Sequence, residues 1–271
     1  MGTLYLVATP IGNLEDLSPR ALRILGEVRL IAAEDTRVTG KLLSHFNIST
    51  SQISYHEHNK MSKLDRVLDS LNEGDVALVS DAGTPAINDP GYELVRAALA
   101  AGHDVSPIPG PSAPITALSA SGLATDAFLY LGYLSRKSNE RRAKLQEVEN
   151  LPYTLIFLES PHRILKALAD IQAMLGNRQI VLAREITKLY EEFFRGDVAE
   201  AQAYFGEQEP RGEFTLVVAG KKLDNTKWTE ASLKSALETG MAAGESPSAL
   251  AKRLSKESGW ARRDIYQMIV G

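Results

Sequence analysis

One stretch constrains the fold more than any other: Ser80-Asp81-Ala82-Gly83-Thr84-Pro85-Ala86-Ile87-Asn88-Asp89-Pro90-Gly91. The apolar run before it, ending Val76-Ala77-Leu78-Val79, reads as a buried parallel strand. After it, Pro90 is expected in the first turn of a helix running from Tyr92 to Leu99. A βα connection needs only about two to six residues, so this loop is long for its task. Strand, loop and helix in that order build parallel α/β sheets, whose ligands bind beyond the C-terminal strand ends. Gly83 lets backbone come close to a ligand, and Asp81, Thr84, Asn88 and Asp89 can hold it. Taken alone, the loop also fits a capped connector.

The rest of the first half repeats the unit. Leu4 to Ala8 reads as a strand, followed by Thr9-Pro10-Ile11-Gly12-Asn13 and a helix capped by Ser18-Pro19. The glycines do not follow G-x-G-x-x-G, which argues against a dinucleotide site. A strand over Arg29 to Ala33 ends in Glu34-Asp35-Thr36-Arg37, with Asp35 or Thr36 as helix cap. After a strand at Gln52 to Tyr55, His56 and His58 would share a strand face, as loop residues or as a metal pair. Ser62 is expected to cap a helix over Lys63 to Leu71. A strand at Asp104 to Ile108 leads into Pro109-Gly110-Pro111-Ser112-Ala113-Pro114, where Pro111 and Pro114 fit a first helical turn. Exposed amides there suit a polar or anionic group. Five strands with crossing helices thus form a domain over 1–123.

A second α/β domain is expected over 124–222. Its strands are Phe128 to Tyr133, Thr154 to Leu158, Gln179 to Ala183, Tyr190 to Gly196 and Glu213 to Ala219. The last strands lie close together in sequence without long crossovers, which predicts a mixed sheet. Arg136, Lys137, Arg141, Arg142 and Lys144 form a basic segment, either a solvated helix face or a phosphate contact. A polar linker over Lys221 to Thr226 opens a helical tail, 223–271, with helix-turn-helix spacing. Residues 246–271 hold Lys252, Arg253, Lys256, Arg262 and Arg263 against Glu257 and Asp264, a net charge of +3. The tail reads equally as an RNA contact or as a helical cap on the body.

Composition excludes several classes. With no cysteine, the chain has no disulfide, no zinc thiolate and no thiol nucleophile. Its five histidines form no HExxH pair, so no metal site is expected. The net charge of -4 gives no global pull toward nucleic acid, so any such contact must be local. No run is apolar enough to span a bilayer, and Gly2-Thr3 leads straight into a strand, so no membrane association and a cytoplasmic location are expected.

Taken jointly, seven motifs resemble one family. They are Thr9 to Leu14, Ala33 to Arg37, Tyr55 to Asn59, Ser80 to Gly91, Pro109 to Ala113, Glu159 to Arg163 and Arg184 to Lys188. The family is the bacterial small-subunit (16S) ribosomal RNA (cytidine-2′-O)-methyltransferases, within the tetrapyrrole-methylase superfamily. The resemblance implies two α/β domains with S-adenosylmethionine in the cleft between them, and a homodimer. It implies methyl transfer to a cytidine ribose 2′-hydroxyl in the decoding region, on the small ribosomal subunit or its RNA. Carried over by motif, the cofactor would meet Pro10 or Ile11, the backbone from Val79 through Ser80 and Asp81, Thr84, and Ser112-Ala113. In the second domain it would meet Leu158 or Glu159, and Ile186 or Thr187. The chain departs from the family at Gly132-Tyr133-Leu134-Ser135, where Gly-Phe-Leu-Pro is expected, which bears on the shape of the basic loop that follows.

A ribose hydroxyl attacks poorly until its proton leaves, so a general base is expected. Strand-end candidates are Asp35, Glu185 and Lys188; Lys188 would need a lowered pKa, or would instead stabilise the developing alkoxide. Arg37, Arg163 and Arg184 are possible phosphate or carboxylate clamps, or partners in structural ion pairs. RNA contacts are expected from Arg136, Lys137, Arg141, Arg142, Lys252, Arg253, Arg262 and Arg263. Two other classes fit less well. A small-molecule or tetrapyrrole methyltransferase needs no basic tail, and a non-catalytic nucleic-acid-binding regulator leaves the strand-end loops unexplained.

Overall fold

The computed structural model describes residues 2–207, 209–222 and 227–270. Most of the expected linker over Lys221 to Thr226 therefore lies outside the described residues. The chain divides into two compact units, Met1–Lys221 and Lys222–Gly271. The boundary expected at residue 123 falls inside the first.

In the first unit, β1 (Thr3–Val7), β2 (Leu30–Ala33), β3 (Gln52–Ser54), β4 (Val76–Val79) and β5 (Asp104–Ile108) form a parallel sheet, ordered β3-β2-β4-β1-β5. Every residue of β2 and β4 is buried, which is why both read as unbroken apolar runs. Helices α1 (Pro19–Glu27) and α2 (Thr36–His45) pack on one face, and α3 (Lys60–Glu73) and α4 (Tyr92–Ala100) on the other. The Ser18 hydroxyl accepts from the Ala21 amide at 3.1 Å, and the Asp35 carboxylate from the Arg37 amide at 2.8 Å, capping α1 and α2 as expected.

Three local expectations are corrected. Ser62 lies inside α3, which begins at Lys60 because Asn59 turns back and accepts from the His56 amide at 2.8 Å. Pro90 precedes the cap of α4 instead of opening it, since Gly91 takes the cap with a φ of 145°. His56 and His58 follow the end of β3 in a turn and share no strand face; no cluster of metal-binding side chains occurs among the described residues.

The second sheet holds β6 (Phe128–Tyr133), β7 (Thr154–Glu159), β8 (Gln179–Arg184), β9 (Glu192–Asp197) and β10 (Phe214–Val218), ordered β6-β7-β10-β8-β9. Only β6 and β7 pair in parallel, so the sheet is mixed as expected. Side chains alternate between its two faces. Leu155, Phe157, Phe214 and Leu216 meet α6 (Ser138–Glu147), α7 (Ile164–Leu175) and α8 (Val198–Gly206). Ile156, Val181, Ala183 and Val217 meet Ala117 and Leu118 of α5 (Ala113–Ser119), the helix that leaves β5. Thus α5 fastens the sheets together within one unit.

The second unit holds α9 (Glu230–Ala242), α10 (Pro247–Ser258) and α11 (Arg262–Val270) around Leu233, Leu237, Leu250, Leu254 and Ile265. Ser246 caps α10, and Gly259 turns the chain toward α11 in the left-handed conformation, φ 68°. No helix among the described residues is long and apolar enough to cross a membrane.

Candidate active site

The C-terminal strand ends of the first sheet are laced together by their loops. Thr9 and Gly83 exchange backbone hydrogen bonds of 2.9 Å, tying the loop after β1 to that after β4. The Asp81 amide donates to Glu34 Oε2 at 3.1 Å, and the Asp35 amide donates to Asp81 Oδ1 at 3.0 Å. Thr84 Oγ1 donates to the Pro111 carbonyl at 3.2 Å, adding the loop after β5. Each link joins residues that sequence distance separates but parallel strands bring level.

The second sheet supplies the facing wall. Glu185 and Thr187 hold φ values of 49° and 66°, unusual for residues other than glycine, in the turn after β8. That turn brings Lys188 Nζ to 2.8 Å from Glu185 Oε1 and 3.2 Å from Glu213 Oε2. Burial pushes the Lys188 ammonium down, but the two carboxylates outweigh it and hold it above its ordinary value. Burial pushes the Glu185 carboxyl up, while Lys188 and the Glu213 amide pull it below its ordinary value. Glu185 and Lys188 thus meet through the turn after β8.

Between these walls lies a cavity of about 410 Å³. Ile11, Ala113, Leu158 and Ile186 give it apolar surface; Glu34, Asp81, Asp89 and Glu213 give it carboxylates, against Lys188 as the one cation among its lining residues. The Asp81 carboxylate together with these apolar walls fits S-adenosylmethionine, whose sulfonium and ammonium are cationic and whose adenine needs apolar surface. Burial, the nearby Glu34 charge and Asp81 push the Asp89 carboxyl up to about 6. Burial likewise lifts the Tyr130 hydroxyl to about 12, with Tyr133 and Asp89 adding to the effect.

Of the residues expected to meet the cofactor, Ile11, Asp81, Thr84, Ser112, Ala113 and Ile186 line this cavity. Pro10 and Ser80 instead line a neighbouring cavity of about 340 Å³, which shares Asp81 and is walled by Val38, Lys41 and His45 of α2. Glu159 is corrected to its neighbour Leu158: strand alternation turns the Glu159 side chain away, where it is buried and pairs with Arg163 at 2.5 Å. Asp35 is corrected as a base. It caps α2 outside the cavity, and hydrogen bonds from Arg37 hold its carboxyl at about 2. Lys188 is corrected as a base too, since its ammonium is held charged. Arg163 and Arg184 belong to the ion pairs Arg163–Glu159 and Arg184–Glu192, and Arg37 pairs with Asp35.

Among the expected RNA contacts, Arg136, Lys137, Arg142, Lys252, Arg262 and Arg263 are exposed. Arg141 is corrected: its side chain is only 4% exposed and pairs with Asp170 of α7. Arg253 is exposed but faces two acids, Glu245 at 2.6 Å and Glu257 at 3.2 Å. The sequence reading passed over Tyr130, Tyr133, Glu213 and Thr215 as cavity residues. Alternation along β6 and β10 shows which residues share a face, but not that the face is covered by a loop from the other sheet.

A family model described as tetrapyrrole (corrin/porphyrin) methylases matches residues 3–202. The chain is 50% identical over 271 residues to ribosomal RNA small subunit methyltransferase I of Synechocystis sp., covering 99% of this chain and 97% of that one. It is 49% identical over 272 residues to the protein of that name from Halalkalibacterium halodurans, covering 98% and 94%. Among solved structures it is similar to uroporphyrin-III C-methyl transferase from Thermus thermophilus complexed with S-adenyl homocysteine. The TM-score is 0.57 and the identity 20%, over 80% of this chain and 97% of that one, a likeness of fold.

Proposed function

The chain belongs to the tetrapyrrole (corrin/porphyrin) methylase family and, within it, to the ribosomal RNA small subunit methyltransferase I relatives, and from that membership we propose that it methylates the ribose 2′-hydroxyl of a cytidine in the decoding region of small-subunit ribosomal RNA. The near-full-length similarity carries this reading. S-adenosylmethionine, when bound, supplies a methyl group on a sulfonium already activated for transfer. The chain's own task is then mainly alignment, worth about 7–11 kcal/mol for well-oriented reactants.

The proposed cofactor contacts are Ile11, Asp81, Thr84, Ser112, Ala113, Leu158 and Ile186, which the cavity brings together. Lys188, fixed by Glu185 and Glu213, serves as a positive charge for the developing alkoxide. A homodimer accompanies the reading on the strength of the family resemblance, and a cytoplasmic location fits an enzyme that acts on ribosomal RNA.

The test is tritium transfer from labelled S-adenosylmethionine to three acceptors: small ribosomal subunits from cells lacking the protein, naked small-subunit RNA, and a tetrapyrrole precursor. Label in cytidine ribose of the subunit RNA is the expected result. Label in the tetrapyrrole alone would overturn it.

The exposed cations of the second unit should matter for RNA and not for the cofactor. Reversing Lys252, Arg262 and Arg263 to Glu is expected to raise KM for the subunit about tenfold or more and flatten its salt dependence. S-adenosylmethionine affinity, measured by calorimetry, should stay unchanged. An unaltered KM would assign the tail a purely structural role.

A further inference from the structure

We propose that Asp89 takes the proton from the acceptor hydroxyl as the methyl group is transferred, a step that rests on the methyltransferase reading of the cavity. In that step the hydroxyl O–H bond breaks and its proton passes to the Asp89 carboxylate. The oxygen–methyl bond forms as the sulfur–methyl bond breaks, its electron pair staying on sulfur. A cation, a neutral alcohol and a carboxylate become a thioether, a methyl ether and a carboxylic acid, so charge balances and no further reactant is needed.

The placement of Asp89 sets it apart from the other acids. Asp35 is tied to Arg37, and Glu185 to Lys188. Around the cavity, Glu34 accepts from the Asp81 amide, Asp81 accepts from the Asp35 amide, and Glu213 pairs with Lys188. Asp89 lines the same cavity and forms no ion pair among the described residues. It also stands at the junction of the two sheets. Its neighbour Asn88 packs over Gly132 of β6, so close that a Cβ on Gly132 would lie 2.0 Å from Asn88 Nδ2.

The loop accepts strain to reach that position. Ala86 and Asn88 have φ of 66° and 64°, a conformation that non-glycine residues seldom adopt. The titratable groups that share its surroundings are Glu34 at the end of β2, Asp81 in its own loop, Tyr130 and Tyr133 on β6, and Lys188 and Glu213 across the cavity. Burial, with the charges of Glu34 and Asp81, makes Asp89 a stronger base than an ordinary carboxylate while leaving it mostly ionised at neutral pH.

The experiment uses the full chain and Asp89→Asn, which keeps shape and removes the charge. Three quantities are read: the pH profile of kcat/KM on small subunits, S-adenosylmethionine affinity by calorimetry, and the carboxyl carbon shift of Asp89 by NMR in the free protein. We expect kcat/KM to fall about 10²- to 10⁴-fold with cofactor affinity held within about threefold. The wild-type profile should fall away below about pH 6 and the variant should lack that limb, while the Asp89 carboxyl titrates near 6. A variant within about threefold of wild-type turnover, a retained acid limb, or a loss due wholly to weaker cofactor binding would overturn the proposal. So would an Asp89 titration near the ordinary value of about 4. Wild-type protein that binds cofactor yet labels no RNA would instead overturn the acceptor reading, and the carboxyl titration would still decide Asp89.

Discussion

Replacing Gly132 with Val should abolish most methyl transfer, by about 10²-fold or more, while leaving a folded protein. The residue sits in an irregular part of β6 where the pairing with β7 shifts register, and its φ is 65°. A β-branched residue held at that φ is strained by about 1–3 kcal/mol. The new Cβ would also fall 2.0 Å from Asn88 Nδ2 and 2.9 Å from its Cγ. Asn88 must then withdraw, and Asp89 beside it moves with the loop. Misplacement of a reacting group by about 1 Å is enough for a loss of this size. Single-turnover transfer to small subunits would measure it, with thermal melting as the check on folding. Adding Asn88→Ala removes the clash but not the strained φ, so partial recovery of turnover is expected. Full activity in Gly132→Val would mean that the docking of this loop on β6 has no part in the chemistry.

Asp170→Ala should cost about 3–5 kcal/mol of stability, because it strands a buried guanidinium. The Asp170 side chain, 5% exposed, accepts from Arg141 Nε at 2.7 Å, from Arg142 Nε at 2.5 Å and from the Ser138 hydroxyl at 3.1 Å. Arg141 also donates to the Ser135 carbonyl at 3.0 Å, so the cluster pins the loop before α6 to α7. For a protein of this size the loss corresponds to a melting point lower by roughly 6–20 °C, read by calorimetry. The double change Asp170→Leu with Arg141→Leu should recover much of it, since a packed apolar pair replaces a buried ionic one at little cost.

The pH dependence follows from the same carboxylate. Burial pushes Asp170 up, but hydrogen bonds from Arg142, Arg141 and Ser138 outweigh it and hold its pKa below the ordinary value. Its contribution is therefore complete above the unfolded pKa, about 3.9, and is lost as pH falls through the lower folded value. Wild type and Asp170→Ala should converge in stability in strong acid. A variant as stable as wild type at neutral pH would mean that solvent or another acid compensates Arg141.

Most of the local structure was legible in the sequence. β5 and β6 fall on the residues expected, and Ser18 and Asp35 cap the helices they were expected to open. Periodicity, caps and turn glycines act within a few residues, so a chain carries them openly. The strand-end motifs were legible as well, because a ligand loop must break the economy of a short connection, and Ser80 to Gly91 does so. Where local signals compete, one of them loses: Ser62 has a cap's chemistry, but Asn59 starts the helix one turn earlier.

The order of strands and helices along the chain, the two loop sets and the family they belong to are written in local pattern. Tertiary structure decided which side of each element meets another, and with it the chemistry. Arg141 and Arg142 are adjacent and identical in type, yet the helical turn between them buries one against Asp170 and leaves the other 53% exposed. Asp35 and Asp89 are both acids in the loops that follow strands of the first sheet. An arginine holds the first at about 2, while burial among Glu34 and Asp81 lifts the second to about 6. Proton affinity depends on burial and on charges a few ångströms away, which arrive from remote parts of the chain, so only the folded molecule distinguishes a cap from a base.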